Sequence, residues 1–176
     1  MAVSIEIIKQ LRELTAASVA DCKKALDDAR GDLKQAKELL KKRGVEIAAK
    51  KASRSTLQGR IEAYVHTGSR IGVLLEVDCE TDFVARNEEF TRLTRDLAMQ
   101  VAATEPQFVK PEDVPQMEMK GLDEEAKKEY LKTNVLFCQP FIRDEKILVQ
   151  DLVTQAIAKL GENIVVRRFA RFKVGE

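Results

Sequence analysis

Apolar residues recur at helical spacing through the first forty positions and at strand spacing from about position 60. Ser4 is placed to cap a first helix with Ile5, Ile8 and Leu11 on one face. Thr15 to Ser18 reads as a turn. Ser18 followed three residues later by Asp21 resembles a capping box, with Asp in place of Glu or Gln. Val19, Cys22, Ala25, Leu26 and Ala29 then follow a helical period, and Gly31 can end that helix in the left-handed conformation. Asp32 with Gln35 repeats the capping signal before Leu33, Ala36 and Leu40, and Gly44 is expected to close the third helix. From Gly59 the period changes to two. Ile61, Ala63 and Val65 alternate with Glu62, Tyr64 and His66; Thr67-Gly68-Ser69 supplies a turn; Ile71, Val73, Leu75, Val77 and Cys79 alternate again. Two such runs about a short turn predict an antiparallel hairpin.

Beyond the hairpin, Thr81, Asp82, Phe83 and Val84 fall in a tight strand-to-helix turn. Asn87 is placed to open a helix through Phe90, Leu93 and Leu97 to about Ala103. Pro106, Pro111, Pro115 and Gly121 mark a loop. Asp123 caps a further helix to about Leu131 or Thr133. A last helix carries Val149, Leu152, Val153, Ala156, Ile157 and Leu160, ahead of Gly161. Asn163 to Val174 is a third strand, with Ile164, Val166, Ala170 and Phe172 on one face and Arg167, Phe169 and Arg171 on the other. The fold class is α+β: three helices, then about three antiparallel strands packed with helices. The expected division is a helical domain over 1–44, a linker over 45–59 and an α+β core over 60–176.

Composition narrows the function. Of 176 residues, 44% are hydrophobic and 34% charged, and thirty basic residues face twenty-nine acidic ones. That balance argues against a protein whose main work is neutralising phosphates. A membrane span would need an apolar run that is missing here, and the first residues lack the pattern of a signal peptide. Three widely spaced cysteines form neither a disulfide framework nor a zinc pattern, so a reducing cytosol is the simplest compartment. Lys41, Lys42, Arg43, Lys50, Lys51, Arg54 and Arg60 face a single acid, Glu46. They read as a solvated linker, or as an RNA contact that lacks the aromatic platforms of single-strand binders.

Catalytic groups are scarce. The sole histidine, His66, pairs on paper with Cys79, yet strand parity places Cys79 with the apolar residues and His66 on the opposite face. Glu76, Asp78, Glu80 and Asp82 recur at spacing two, as a metal-binding strand face or as a solvated face paired with Arg167 and Arg171. No catalytic set, cofactor or resident metal is expected. Phe83 remains, either a plug for the chain's own core or a wedge for another protein.

Several motifs in order resemble the elongation factor Ts family over essentially the full length. They are Leu11-Arg12-Glu13, Thr15 and Asp21-Cys22-Lys23-Lys24-Ala25-Leu26; Gly31-Asp32; Glu76-Val77 with Glu80 through Asn87; and Gly161 through Ile164, Arg168-Phe169, Arg171-Phe172 and Val174-Gly175-Glu176. The resemblance implies guanine-nucleotide exchange on elongation factor Tu during translation elongation. It implies that the N-terminal helical unit docks on a helix of the partner's nucleotide domain through Arg12, Val19 and Ala20. It further implies that Asp82 and Phe83, in a turn shaped by Thr81 and Val84, insert between helices beside the partner's Mg²⁺, which displaces the metal and loosens GDP. In long members a His-x-Gly-x-Arg-Ile-Gly-Val motif lies in a second core module and approaches the partner's phosphate-binding loop. Here His66, Gly68, Arg70, Ile71, Gly72 and Val73 match it within the one module. Two copies are therefore expected to associate, each partner molecule meeting Phe83 of one and His66 of the other. Where the family often carries Gly-Ala-Gly-Met-Met, this chain has Ala16-Ala17-Ser18-Val19-Ala20. The competing readings are a helical domain of the ubiquitin-associated type joined to an α+β tether for another client, and RNA binding through the basic stretch. The sequence leaves a bacterial cytoplasm and an organelle both open.

Overall fold

A computed structural model describes residues 3–15 and 17–176; Ala16, first of the four residues that depart from the family pattern, lies outside them. The chain is α+β and forms two compact units. One comprises residues up to Arg54 together with Thr154–Asn163, and the other comprises Ser55–Val153 together with Ile164–Glu176.

The first unit is built on three helices: α1 (Ile5–Thr15), α2 (Val19–Asp28) and α3 (Leu33–Lys51). Their starts are set locally. Ser4 Oγ accepts from Ile7 N at 3.4 Å, Ser18 Oγ from Asp21 N at 3.1 Å, and Asp32 Oδ1 from Gln35 N at 2.8 Å. Asp21 returns the favour to Ser18 by accepting its hydroxyl proton at 2.6 Å. Leu11, Cys22, Ala25, Leu26, Ala29 and Ala36 form the core, with Ile7, Ile8, Leu33 and Leu40 against it. Ile5 stays exposed, so the buried stripe of α1 is Ile7–Ile8–Leu11. The helix α3 does not stop at Gly44. Gly44 is buried with its Cα toward the side chains of Thr154 and Ala158, and the Ala- and Lys-rich residues beyond it favour the helix as far as Lys51. A helical glycine is a stop only where the chain needs positive φ, and none is recorded here.

In the second unit, β1 (Gln58–Val65), β2 (Ile71–Cys79) and β5 (Ile164–Lys173) form an antiparallel sheet in the order β1-β2-β5. A one-turn helix, α4 (Asp82–Ala85), follows β2, and α5 (Glu88–Thr104) follows it directly. Then come α6 (Glu124–Asn134), a small hairpin of β3 (Pro140–Phe141) and β4 (Asp144–Leu148), and α7 (Val149–Leu160). Thr154–Asn163, the later part of α7 and the turn after it, belongs to the first unit. The hairpin β3–β4 is not foreseen by periodicity. It is tied to α5 by buried Gln100, whose Nε2 donates to Gln139 Oε1 and Pro140 O and whose Oε1 accepts from Ile142 N.

One face of the sheet packs on α5. Val73, Leu75, Val77 and Cys79 of β2 meet a core that includes Phe90, Leu93, Leu97 and Val101. Each such side chain contributes about 1.5–3 kcal/mol on burial. The parity of β5 differs from expectation. Glu76 pairs with Arg168 but Val77 pairs with Val166, so Arg167 is the extra residue of a bulge. Ile164 and Val166 point inward before the bulge; Phe169 and Arg171 do so after it, and Ala170 and Phe172 turn to the open side. The faces of β1 hold a second surprise. Its polar residues Arg60, Glu62 and Tyr64 are the more covered, while Ile61, Ala63 and Val65 are exposed. Arg60 donates to Thr91 Oγ1 at 2.7 Å and pairs with Glu62 at 2.9 Å, and Thr94 donates to Glu62, so α5 presents hydroxyls where β1 presents charge.

Candidate functional site

The segment after β2 is held rigidly at its own ends. Thr81 is extended (φ −127°, ψ 157°), and its Oγ1 accepts from Val84 N at 3.4 Å. Its carbonyl accepts from Ala85 N at 3.2 Å and from the buried Cys79 thiol at 3.1 Å. Asn87 N closes the turn onto Val84 O at 2.9 Å, and the Asn87 side chain accepts from Glu89 N to start α5. Between these ties Asp82, Phe83, Val84 and Ala85 form α4, a single helical turn rather than an irregular corner. Phe83 is 82% exposed and Val84 half-buried. Burial thus separates the two readings of the aromatic: Phe83 is no core plug. Asp82 is paired with Arg86 at 2.9 Å, one turn on, a contact that sequence reasoning missed although the spacing of four is a helical pair.

The acidic ladder is broken up by arginines. Asp78 pairs with Arg167 at 2.7 Å and Glu76 with Arg168 at 2.6 Å. The expected partner Arg171 goes elsewhere because the bulge sends it inward, where it donates to Ala102 O and pairs with Glu105 at the end of α5. Among the described residues no three His, Cys, Asp or Glu side chains converge as a metal site.

His66 and Gly68 sit at the other end of the hairpin. His66 N donates to Ile71 O at 2.9 Å, Ser69 N to His66 O at 2.9 Å, and Gly68 (φ +88°) makes the turn. The His66 ring is exposed, with Nδ1 3.0 Å from Tyr64 Oη. Cys79 pairs with Gln58, at the far end from Gly72 and Val65. Seven residues of extended strand put these ends about 24 Å apart, so the structure does not bring His66 and Cys79 together. In the helical unit Arg12, Val19 and Ala20 are exposed, as is Leu14 beside them. The Cys22 thiol between α1 and α2 is pushed above its ordinary pKa, chiefly by burial.

Two further features of the surface were not foreseen. Ile61 and Val65 of β1, Leu74 of β2 and Phe172 of β5 leave an apolar open face on the sheet. Leu57, just ahead of β1, is 84% exposed. Alternation shows that Ile61 and Val65 share a face, but no local signal says which face the helix covers. No helix of the described residues is long and apolar enough to cross a membrane.

Exposed apolar side chains thus mark the α4 tip, the start of β1 and the open sheet face. A family model described as elongation factor TS matches residues 2–132. The chain is 46% identical to elongation factor Ts of Carboxydothermus hydrogenoformans, over 99% of this chain and 90% of that one. It is 45% identical to elongation factor Ts of Caldanaerobacter subterraneus subsp. tengcongensis, over 99% and 98%, and 46% identical to that of Thermosipho melanesiensis, over 99% and 100%. The chain belongs to the elongation factor Ts family. It is thereby a translation elongation factor of the nucleotide-exchange class rather than a catalytic enzyme, and the family implies elongation factor Tu as its partner.

Proposed function

We propose that this chain speeds GDP release from elongation factor Tu by inserting Phe83, with Asp82 beside it, next to the partner's Mg²⁺. The observation that carries this reading is the 82% exposure of Phe83 on a one-turn helix tied at both ends. A phenylalanine left in water gains about 1.5–3 kcal/mol on entering an apolar site. Set against the metal's contacts, that gain favours the metal-free partner, and loss of Mg²⁺ removes charge compensation for the GDP phosphates. Exchange is then a negative coupling between two ligands of one protein. Linkage makes it reciprocal, so GDP weakens binding of this factor by the same ratio. Thr81 and Val84 shape the turn. Arg12, Val19 and Ala20, all exposed, serve as the docking contacts of the helical region 1–44, and 60–176 carries the wedge.

The open face of the sheet supports association of two copies. Ile61, Ala63 and Val65 lie beside Leu74 and Gly72, and these beside Ala170 and Phe172, with the Glu76–Arg168 pair as a polar marker within the face. A Cβ at Gly72 would meet open space, so a second backbone can come close there. A twofold axis through such a face makes it self-complementary. Nine residues of β2 separate the Phe83 end from the His66 end by about 30 Å. Antiparallel stacking of two sheets then sets Phe83 of one copy toward His66 and Gly68 of the other, and each partner molecule meets both, His66 at the phosphate loop. The site of action is a cytoplasm where translation runs.

Release of a fluorescent GDP analogue from elongation factor Tu, with and without this protein, tests the reading. Acceleration is expected, and Phe83→Ala should reduce it by roughly tenfold or more, the equivalent of losing one buried aromatic. Unfolding of Phe83→Ala under the same conditions, or an unchanged release rate, would sink the wedge.

A further inference from the structure

Leu57 and Phe83 are the two most exposed large apolar side chains among the described residues, at 84% and 82%. The topology brings them to one end of the sheet. Leu57 immediately precedes β1, and Gln58, the first residue of β1, pairs with Cys79, the last of β2. Asp82 opens α4 three residues further on, and α4 packs against both β1 and β2. The backbone that carries Leu57 is fixed. Next to it, Thr56 is buried, and its Oγ1 accepts from Arg167 Nη2 at 3.5 Å, while Arg167 is itself held by Asp78. On the other side Gly59 adopts φ +156°, with its Cα so close to β2 that a Cβ would stand 2.3 Å from Val77 O. Leu57 is therefore presented on a pinned segment, not on a free loop tip.

We propose that Leu57 is a second apolar prong beside Phe83, a positioning and specificity-determining residue for nucleotide exchange. It rests on the wedge reading of Phe83. The α4 tip offers an aromatic that enters the partner, and the segment ahead of β1 offers a leucine that seats on an adjoining apolar patch. The second contact fixes the direction of entry and selects partners whose surface carries that patch. Leu57 lies outside α4, so its burial stabilises the docked complex both before and after the metal leaves. Its effect falls on binding, whereas that of Phe83 falls on the maximal rate.

Leu57→Ser is the test, with GDP-analogue release from elongation factor Tu measured over a series of factor concentrations. The half-maximal concentration should rise about tenfold, the worth of one exposed-to-buried leucine, with the maximal rate held within about twofold. Leu57→Met, which keeps the apolar bulk, should restore the parent value. The double variant with Phe83→Ala should show both losses together, a raised half-maximal concentration and a lowered maximal rate, because the two side chains make separate contacts. An unchanged half-maximal concentration for Leu57→Ser, while Phe83→Ala slows release, overturns the Leu57 proposal alone. No effect of Phe83→Ala overturns the wedge beneath it. A shift of Leu57→Ser to a monomer, where the parent sediments as a dimer, would assign Leu57 to self-association and overturn the proposal as well.

Discussion

Gly59 shows how a single atom sets the geometry of the exposed tip. Its φ of +156° is a conformation that side-chain-bearing residues rarely adopt, and the space where a Cβ would go is already held by Val77 O and by Asp78 Cα at 2.7 Å. Backbone cannot swing away as a flexible side chain does. Gly59→Ala should therefore cost about 2–3 kcal/mol of stability, as strain and overpacking together, which a denaturant melt would read directly. The opposite case is Phe83. Truncating an aromatic normally costs several kcal/mol, but one left in water should shift stability by no more than about 0.5 kcal/mol. Legibility divides along the same line. Ser18, Asp32, Asn87 and Asp123 are recognisable as caps from sequence because each accepts from a backbone N–H only two or three residues on. The exposure of Phe83 is a different kind of fact. It depends on what the rest of the chain fails to cover, and no local pattern contains it.

Among elements, α3 and β5 mark where periodicity misleads. Gly44 looks like the end of a helix in sequence, yet the ladder runs through it to Lys51. A Cβ added there would lie 3.7 Å from Thr154 Cγ2 and 3.9 Å from Ala158 Cβ, which is ordinary contact. Gly44→Ala should accordingly raise stability by about 1 kcal/mol, the helix-propensity difference. A lowered melting temperature would mean that α3 and α7 cannot absorb the methyl. In β5 the misreading comes from Arg167. A bulge residue adds one to the count and turns every later side chain over, so the face predicted for Ala170 and Phe172 was the wrong one although the strand itself was placed within a residue. The hairpin β3–β4 escaped because its strands are short and its anchor, Gln100, lies some forty residues away in sequence.

At the scale of the molecule, the open sheet face is the surface that the proposed pairing of two copies uses. Alternation in β1 predicts an apolar face and a polar face, and the usual inference sends the apolar one inward. Here Arg60 and Glu62 go inward, paired with each other and met by Thr91 and Thr94 of α5, though Arg60 Nε is left without a partner among the described residues, and Ile61 and Val65 are left outside. Such a surface is a standing cost until something covers it. Leu74→Glu places a carboxylate in its middle, beside Ala63 and Ala170. Since Leu74 is half exposed, the fold should tolerate the change within about 0.5 kcal/mol. Self-association measured by sedimentation should be lost, and exchange activity should fall with it if His66 must come from a second copy. A variant that still sediments as a dimer would remove this face from the interface.

Strand β2 is also a gauge. One of its ends carries the α4 tip and the other the His66 turn, so its residue count sets how far apart the two lie within one copy. The gauge has only coarse settings. Adding one residue would turn every later side chain to the other face, trading Leu75 and Val77 against Glu76 and Asp78 across the sheet. Adding two keeps each face but lengthens the span by about 7 Å. Neither small step leads smoothly to a new spacing, so the length of β2 is locked by its own core.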